Sequence, residues 1–230
     1  MFDPVLSLSL TLNIVAPCSS SRYFHFIHLF NCTNITVTTQ AADAWALATA
    51  GAGIDVDYGD AVAAAGGGIV NGGGIPWWNR WVFGNHSGLS RPKLLVLEAC
   101  RGVLVEGIVL HNSPSFNLLL STVLHAEIRH VTVVTDRKHQ RDLKAVLRAR
   151  RVIAMRAAGI DVNVAATPLE PEDLNTDGID FSGRDIWVHD CNVQNDDDSI
   201  AVKPCDSKNC QVQAMIAADM LLGSSLALCL

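Results

Sequence analysis

Charge is scarce in this sequence and neither sign dominates. Asp, Glu, Lys and Arg make up 17% of the 230 residues and the formal net charge is -6, which excludes a broad cationic surface of the kind that holds nucleic acid. No apolar run is long enough to cross a bilayer: VLSLSLTLNIVA near the start and the C-terminal tail interrupted by Asp219 both fall short of the roughly 20 residues required. At 49% hydrophobic content the chain is too apolar for intrinsic disorder.

Metal and nucleotide signatures are missing as well. The seven cysteines (Cys18, Cys32, Cys100, Cys191, Cys205, Cys210 and Cys229) are odd in number and show no zinc-ligand spacing. Cys205 and Cys210 would close a small loop as a disulfide or remain as two buried thiols, so cysteine does not settle the redox compartment. His111, His125, His130 and His189 fall in or beside strand-like runs without ligand spacing and read as ordinary histidines. The glycines of GGGIVNGGG are not followed by the Lys of a phosphate loop. Asn-Gly hairpin turns are scarce, which counts against a β-sandwich.

What is present is short apolar repetition. LLVL, GVLVEGIVL, NLLL and AEIRHVTVV fill residues 94–134, and DIWVHDCNV further on has the same shape. Strands recurring about once per 20 to 25 residues fit a solenoid whose Val, Ile and Leu faces stack as ladders. Tyr23–Thr39 supplies one or two strands of a first coil, whereas the Ala- and Gly-rich residues 41–68 read as a long surface loop or cap. Trp77 and Trp78 read as core or loop packing in preference to a sugar-stacking platform.

The organisation expected is one domain over residues 21–230. Residues 1–20 are either a signal peptide or a first strand, since the h-region-like run is preceded by Asp3 and by no Lys or Arg. The sequons at Asn31, Asn34 and Asn85 are compatible with secretion. Between Val134 and Asn175 the pattern changes to a basic amphipathic helix at about 136–160. Leu143, Val146, Leu147, Ile153 and Ala157 would form its apolar face, with Arg137, Lys138, Arg141, Lys144, Arg148, Arg150, Arg151 and Arg156 around the rest. Such an insertion is either a solvated helix packed on the solenoid wall or a cationic flap beside a cleft.

The chemistry concentrates in NTDGIDFSGRDIWVHDCNVQNDDDSIAVKP, Asn175 to Pro204. It runs turn, strand, turn, strand, which sets Asp177 and the Asp197/Asp198 pair about one coil apart, on rungs about 4.8 Å from each other. On a regular strand Asp197 and Asp198 would face opposite ways, so a bend is expected at the pair. Adjacent carboxylates push their pKa values apart, and that separation is what acid–base glycoside hydrolysis needs. An EF-hand order is not met, although calcium held by stacked Asp residues and a merely solvated acidic turn both fit the residue types.

Asn175-Thr176-Asp177-Gly178 followed by Asp197-Asp198-Ser199-Ile200-Ala201-Val202-Lys203 resembles two signature motifs of the polygalacturonase family of pectin-degrading glycoside hydrolases, glycoside hydrolase family 28. NGGGIP with Trp77-Trp78, and Arg91 to Pro114, are similar to that family too. The resemblance implies an all-β, right-handed parallel β-helix and inverting hydrolysis of α-1,4 galacturonosidic bonds in pectin or polygalacturonate. Carried over by motif, Asp197 is the general acid, Asp177 and Asp198 hold and activate the water, and Asn175 and Lys203 bind substrate, with no cofactor or metal. An inverting pair needs carboxyls about 6.5 to 9.5 Å apart. Asp196 departs from the motif's Gly, Ser199 from its Cys, and Ser224 from a His. The Arg-x-Lys motif would lie beyond Leu230, so the resemblance is to a member cut short. An inactive β-helix and a calcium-dependent lyase remain as alternative functions, and a polyanionic substrate requires positive charge gathered at the site.

Overall fold

The computed structural model describes residues 25–38, 68–83, 91–160 and 174–204, together with the backbone of three short strands after them. The strands are β1 (Ile27–Phe30), β2 (Thr33–Thr38), β3 (Ile69–Asn71), β4 (Leu95–Glu98), β5 (Arg101–Glu106), β6 (Val109–His111), β7 (Leu118–Arg129) and β8 (Thr132–Val134). They continue with β9 (Ile179–His189), β10 (Asn192–Gln194), β11 (Ile200–Val202), β12 (Ala214–Ile216), β13 (Leu221–Leu222) and β14 (Leu226–Leu228). Helix α1 spans Gly74–Phe83 and helix α2 spans Arg137–Ala157.

Every strand pairing is parallel. One sheet runs β1-β4-β7-β9-β11-β14, with β2 stacked onto β5, β5 onto β7 and β12 onto β9, and a second runs β13-β10-β8-β6-β3. This is the expected all-β parallel β-helix. Its interior is built from in-register ladders. Leu95, Leu118, Ile179 and Ile200 stack rung on rung, as do Leu97, Leu120, Phe181 and Val202. These side chains are almost fully buried, and each contributes about 1.5–3 kcal/mol by leaving water.

The corners are made without proline and mostly without glycine. Asn31, Ala99 and Thr122 take φ of 52°, 53° and 55°, one above another at one corner, and Gly107, His130 and Asp190 at 60°, 53° and 50° do the same at the next. A single left-handed residue turns the chain, at about 1–2 kcal/mol for each non-glycine. The residue that follows then points inward, and Cys100, Val123, Ile108, Val131 and Cys191 are all buried, which offsets that strain.

Helix α1 was not expected from the sequence. Pro76 sits in its first turn, where a missing N–H is harmless, and Trp78 and Val82 bury completely. The Trp78 indole Nε1–H donates to the Ser113 carbonyl at 3.1 Å, so the tryptophan pair packs as core.

Helix α2 lies within the predicted span, and its buried face is the expected one at Leu143 and Leu147 but not elsewhere. Gln140, Leu143 and Val152 are buried, while Val146 and Ile153 are 38% and 67% exposed and Ala157 is exposed. The helix packs against α1 through Leu143 and Leu147, and its one fully buried polar group, Gln140, is turned towards the β-helix. The helix begins where the Asp136 side chain accepts from the His139 N–H at 2.9 Å, and the Asp136 N–H donates to Asn112 Oδ1 at 2.8 Å. It ends at Gly159, whose φ of 77° suits a C-terminal cap. Residues 41–67 and the Cys205–Cys210, Ser224 and Asn85 expectations lie outside the described residues. No helix among the described residues is long and apolar enough to cross a membrane.

Candidate active site

The pairing of β11 with β9 sets Ile200 beside Ile179. It carries the acidic turn next to the Asn-Thr-Asp-Gly turn: the Gly178 N–H donates to the Asp198 carbonyl at 2.9 Å and the Ile179 N–H to the Ser199 carbonyl at 3.0 Å. A Cβ on Gly178 would stand 2.4 Å from Ser199 O and 2.4 Å from Val193 Cγ1, so only glycine allows this approach.

The chain bends at Asp196 and Asp197, as two neighbouring aspartates facing one cleft require. Carboxylate oxygens of Asp177, Asp197 and Asp198 consequently lie within 4.8 Å of one another. Asp177 is buried, and Asp197 and Asp198 are half-buried. Asp197 Oδ1 accepts from the Asp198 N–H at 2.9 Å, which fixes that carboxyl against its own turn. The trio is compact enough for these residues to hold a divalent cation as well as a water.

Asparagine side chains frame the two turns. Asn117 Nδ2 donates to the carbonyls of Thr176 and Asp177 at 3.1 and 3.0 Å, and Asn195 Nδ2 donates to those of Thr176 and Asp198 at 3.1 and 2.8 Å. Both are fully buried, so the backbone carrying the acids has its polar groups satisfied from the rungs on either side. Asn175 itself is exposed with φ 46°, and its carbonyl accepts from Ser115 Oγ at 3.3 Å.

Positive charge gathers here. Lys203 Nζ lies 3.1 Å from Asp177 Oδ2 and 3.2 Å from Asp180 Oδ2. The Phe116 ring has Lys93 Nζ 4.9 Å and Lys203 Nζ 5.0 Å from its centroid. Arg91 lies over Trp81 at 4.7 Å and donates to the carbonyls of Pro114 and Leu174. Burial lowers the Arg91 guanidinium to about 10, against the opposing pull of Asp197 and Asp177. Burial also lowers Lys93, with Asp180 acting the other way. For Lys203, burial acts downward but is outweighed by Asp180 and Asp177, which hold it above the usual lysine range.

Asp180 is fully buried. Burial and the neighbouring Asp177 charge push its carboxyl up to about 8, and Lys203 pulls only part of that back. Its neutral form is the one that fits beside the Lys203–Asp177 pair at neutral pH. Strand alternation concealed it, because Ile179 and Phe181 face the core and Asp180 should then face outward. Its outer face is covered all the same, by Lys203 and the residues around it.

A family model for Glycosyl hydrolases family 28 matches residues 32–218. The chain belongs to glycosyl hydrolases family 28. No curated protein matches it. Among solved structures it is similar to a hyperthermoactive exopolygalacturonase from Thermotoga maritima, with 18% identity and a TM-score of 0.43, over 86% of this chain and 40% of that one. This family 28 chain therefore spans 40% of the length of that protein. Asp177, Asp197, Asp198 and Lys203 of the family 28 chain are brought together, and Asn175 stands exposed beside them.

Proposed function

We propose that the protein hydrolyses galacturonosidic bonds of a pectin-type polysaccharide with inversion at the anomeric carbon. The observation that carries this reading is the meeting of Asp177, Asp197 and Asp198 within 4.8 Å on adjacent rungs of a family 28 chain. Asp197 gives its proton to the leaving glycosidic oxygen. Asp177 and Asp198, side by side across the β9–β11 pairing, hold a water and take its proton as it attacks the opposite face of the sugar. With three acids the water sits against two of them and the third is left to act as the acid, which is the division of roles that single displacement needs. Lys93, Lys203 and Arg91 supply the local positive charge that a uronate chain requires beside an acidic trio.

One oxygen from each carboxylate within 4.8 Å of the others also favours a second reading, in which the three bind a divalent cation and the polymer is cleaved by elimination. One experiment separates the two. The protein is incubated with polygalacturonic acid, new reducing ends are counted, and the anomeric configuration of the first product is followed by NMR with and without chelator. Inverted product, unchanged by chelator and abolished by Asp197→Asn, is expected. Retained configuration overturns the inverting mechanism, and an unsaturated, chelator-sensitive product overturns hydrolysis. Absence of product from the folded chain leaves a non-catalytic β-helix.

A further inference from the structure

Two features of this chain depart from the motif pattern it resembles: the helix inserted between β8 and β9, and Asp196 in place of glycine ahead of the Asp197/Asp198 pair. In the fold they meet. Lys144 of α2 donates to the Asp196 carbonyl at 2.6 Å and lies 3.4 Å from Asp196 Oδ2. Both side chains are largely buried, with exposures of 17% and 19%. One turn earlier on α2, Gln140 is fully buried and its Nε2 donates to Thr176 Oγ1 at 3.0 Å. The helix thus holds the residue immediately before Asp177 and the residue immediately before Asp197. It is itself fixed at the other side, through His139 to Asn79 at 3.1 Å and Arg150 to the Val82 carbonyl at 2.6 Å, both on α1.

We propose that Gln140 and Lys144 are positioning residues for the acidic site, and that α2 with Asp196 forms a strap setting the Asp177 turn against the Asp197/Asp198 turn. The argument is geometric. The two turns belong to different rungs, joined by the hydrogen bonds at Gly178 and Ile179 and by the Asn195 amide that reaches the Thr176 and Asp198 carbonyls. Asp196 and Asp197 sit in a bend outside β10 and β11, where the backbone has more freedom than in a strand. A buried amide and a buried ammonium directed at the residues flanking the acids remove that freedom. The ion-pair half of the Lys144 contact needs a carboxylate at position 196, which links the two departures, while the bond to the backbone carbonyl does not depend on the side chain there.

The strap is tested on two readouts, because its catalytic meaning rests on the hydrolase reading. The first is amide hydrogen exchange in Lys144→Met, Gln140→Ala and Lys144→Arg proteins. Exchange at Gly178 and Ile179 should rise about tenfold or more in Lys144→Met and Gln140→Ala, with Leu95 and Leu124 unchanged as evidence of an intact fold, and Lys144→Arg should stay near wild type. The second readout is kinetic: Lys144→Met should lose about tenfold or more in kcat with little change in KM. Asp196→Gly in that background should cause no further loss, because the pair acts as a unit. Unchanged exchange at Gly178 and Ile179 overturns the proposal whatever the activity. Faster exchange with unaltered kcat overturns the catalytic role of the strap. Faster exchange in a protein whose wild type forms no product leaves the coupling standing and removes the hydrolase reading instead.

Discussion

The Lys203 ammonium lies 3.1 Å from Asp177 Oδ2, in a position where the carboxylate is almost completely shielded from solvent. This contact is the main polar anchor of the Asp177 carboxyl, since its Oδ1 has no hydrogen-bond partner among the described residues.

Replacement of Lys203 by Met should therefore reduce both stability and activity. Removing one partner of a buried pair leaves the other charge uncompensated, and with Lys203 a quarter exposed the loss should be about 2–3 kcal/mol. Urea unfolding at pH 7 measures it, and reducing-end assays should show kcat reduced about a hundredfold. A variant as stable and as active as wild type would remove Lys203 from the site.

Asp180 gives a pH dependence with a definite sign. Its carboxyl stands at about 8 in the fold, against 3.8 for an ordinary aspartate. The folded state then keeps a proton that the unfolded state releases, so stability from this group is full below about pH 4 and is lost as pH rises towards 8. The slope attributable to it is at most about 1.4 kcal/mol per pH unit. Asp180→Asn should flatten the decline in unfolding free energy between pH 5 and pH 8; equal slopes in the two proteins would contradict the assignment.

Gly178→Ala should fail through sterics alone. The added methyl group meets the Ser199 carbonyl at 2.4 Å, so the two rungs must separate, at about 1–3 kcal/mol. Because that separation lies between Asp177 and Asp198, the folded fraction should also lose most of its activity, which thermal unfolding and product assays on the same sample distinguish.

The thiols should differ in reactivity. Burial, with the Asp190 charge, pushes Cys191 up to about 12, leaving roughly one thiolate in ten thousand at pH 8. Burial also raises Cys100. Among the described cysteines, Cys32, half-buried, should be alkylated first in the folded protein, as peptide mass mapping after brief iodoacetamide treatment would show.

The sequence made some of this legible and hid the rest for physical reasons. The stacking of Asp177 near Asp197 and Asp198 follows from coil length, a local quantity, and the apolar ladders follow from alternation. The corners did not announce themselves, because Asn31, Ala99, Thr122 and His130 adopt left-handed backbone where glycine would have been the readable signal. Helix α1 was masked by the glycines that lead into it and by Pro76. The face of α2 was misjudged because a buried amide, Gln140, takes a place that a hydrophobicity pattern reserves for Val146 or Ile153. Asp180 and the Lys144–Asp196 contact depend on partners far away in the chain, which no spacing rule reports.

Helix α2 also alters how the solenoid would bear a load. Stacked parallel rungs separate one at a time when the chain is drawn along its axis, since each rung is held only by its neighbours. Through Asn112, Val82, Thr176 and Asp196, α2 is fastened to segments on several successive turns, like a rivet driven across plates. Peeling from either end should stall where the force reaches it, so the rungs bearing the acids would be the last to part.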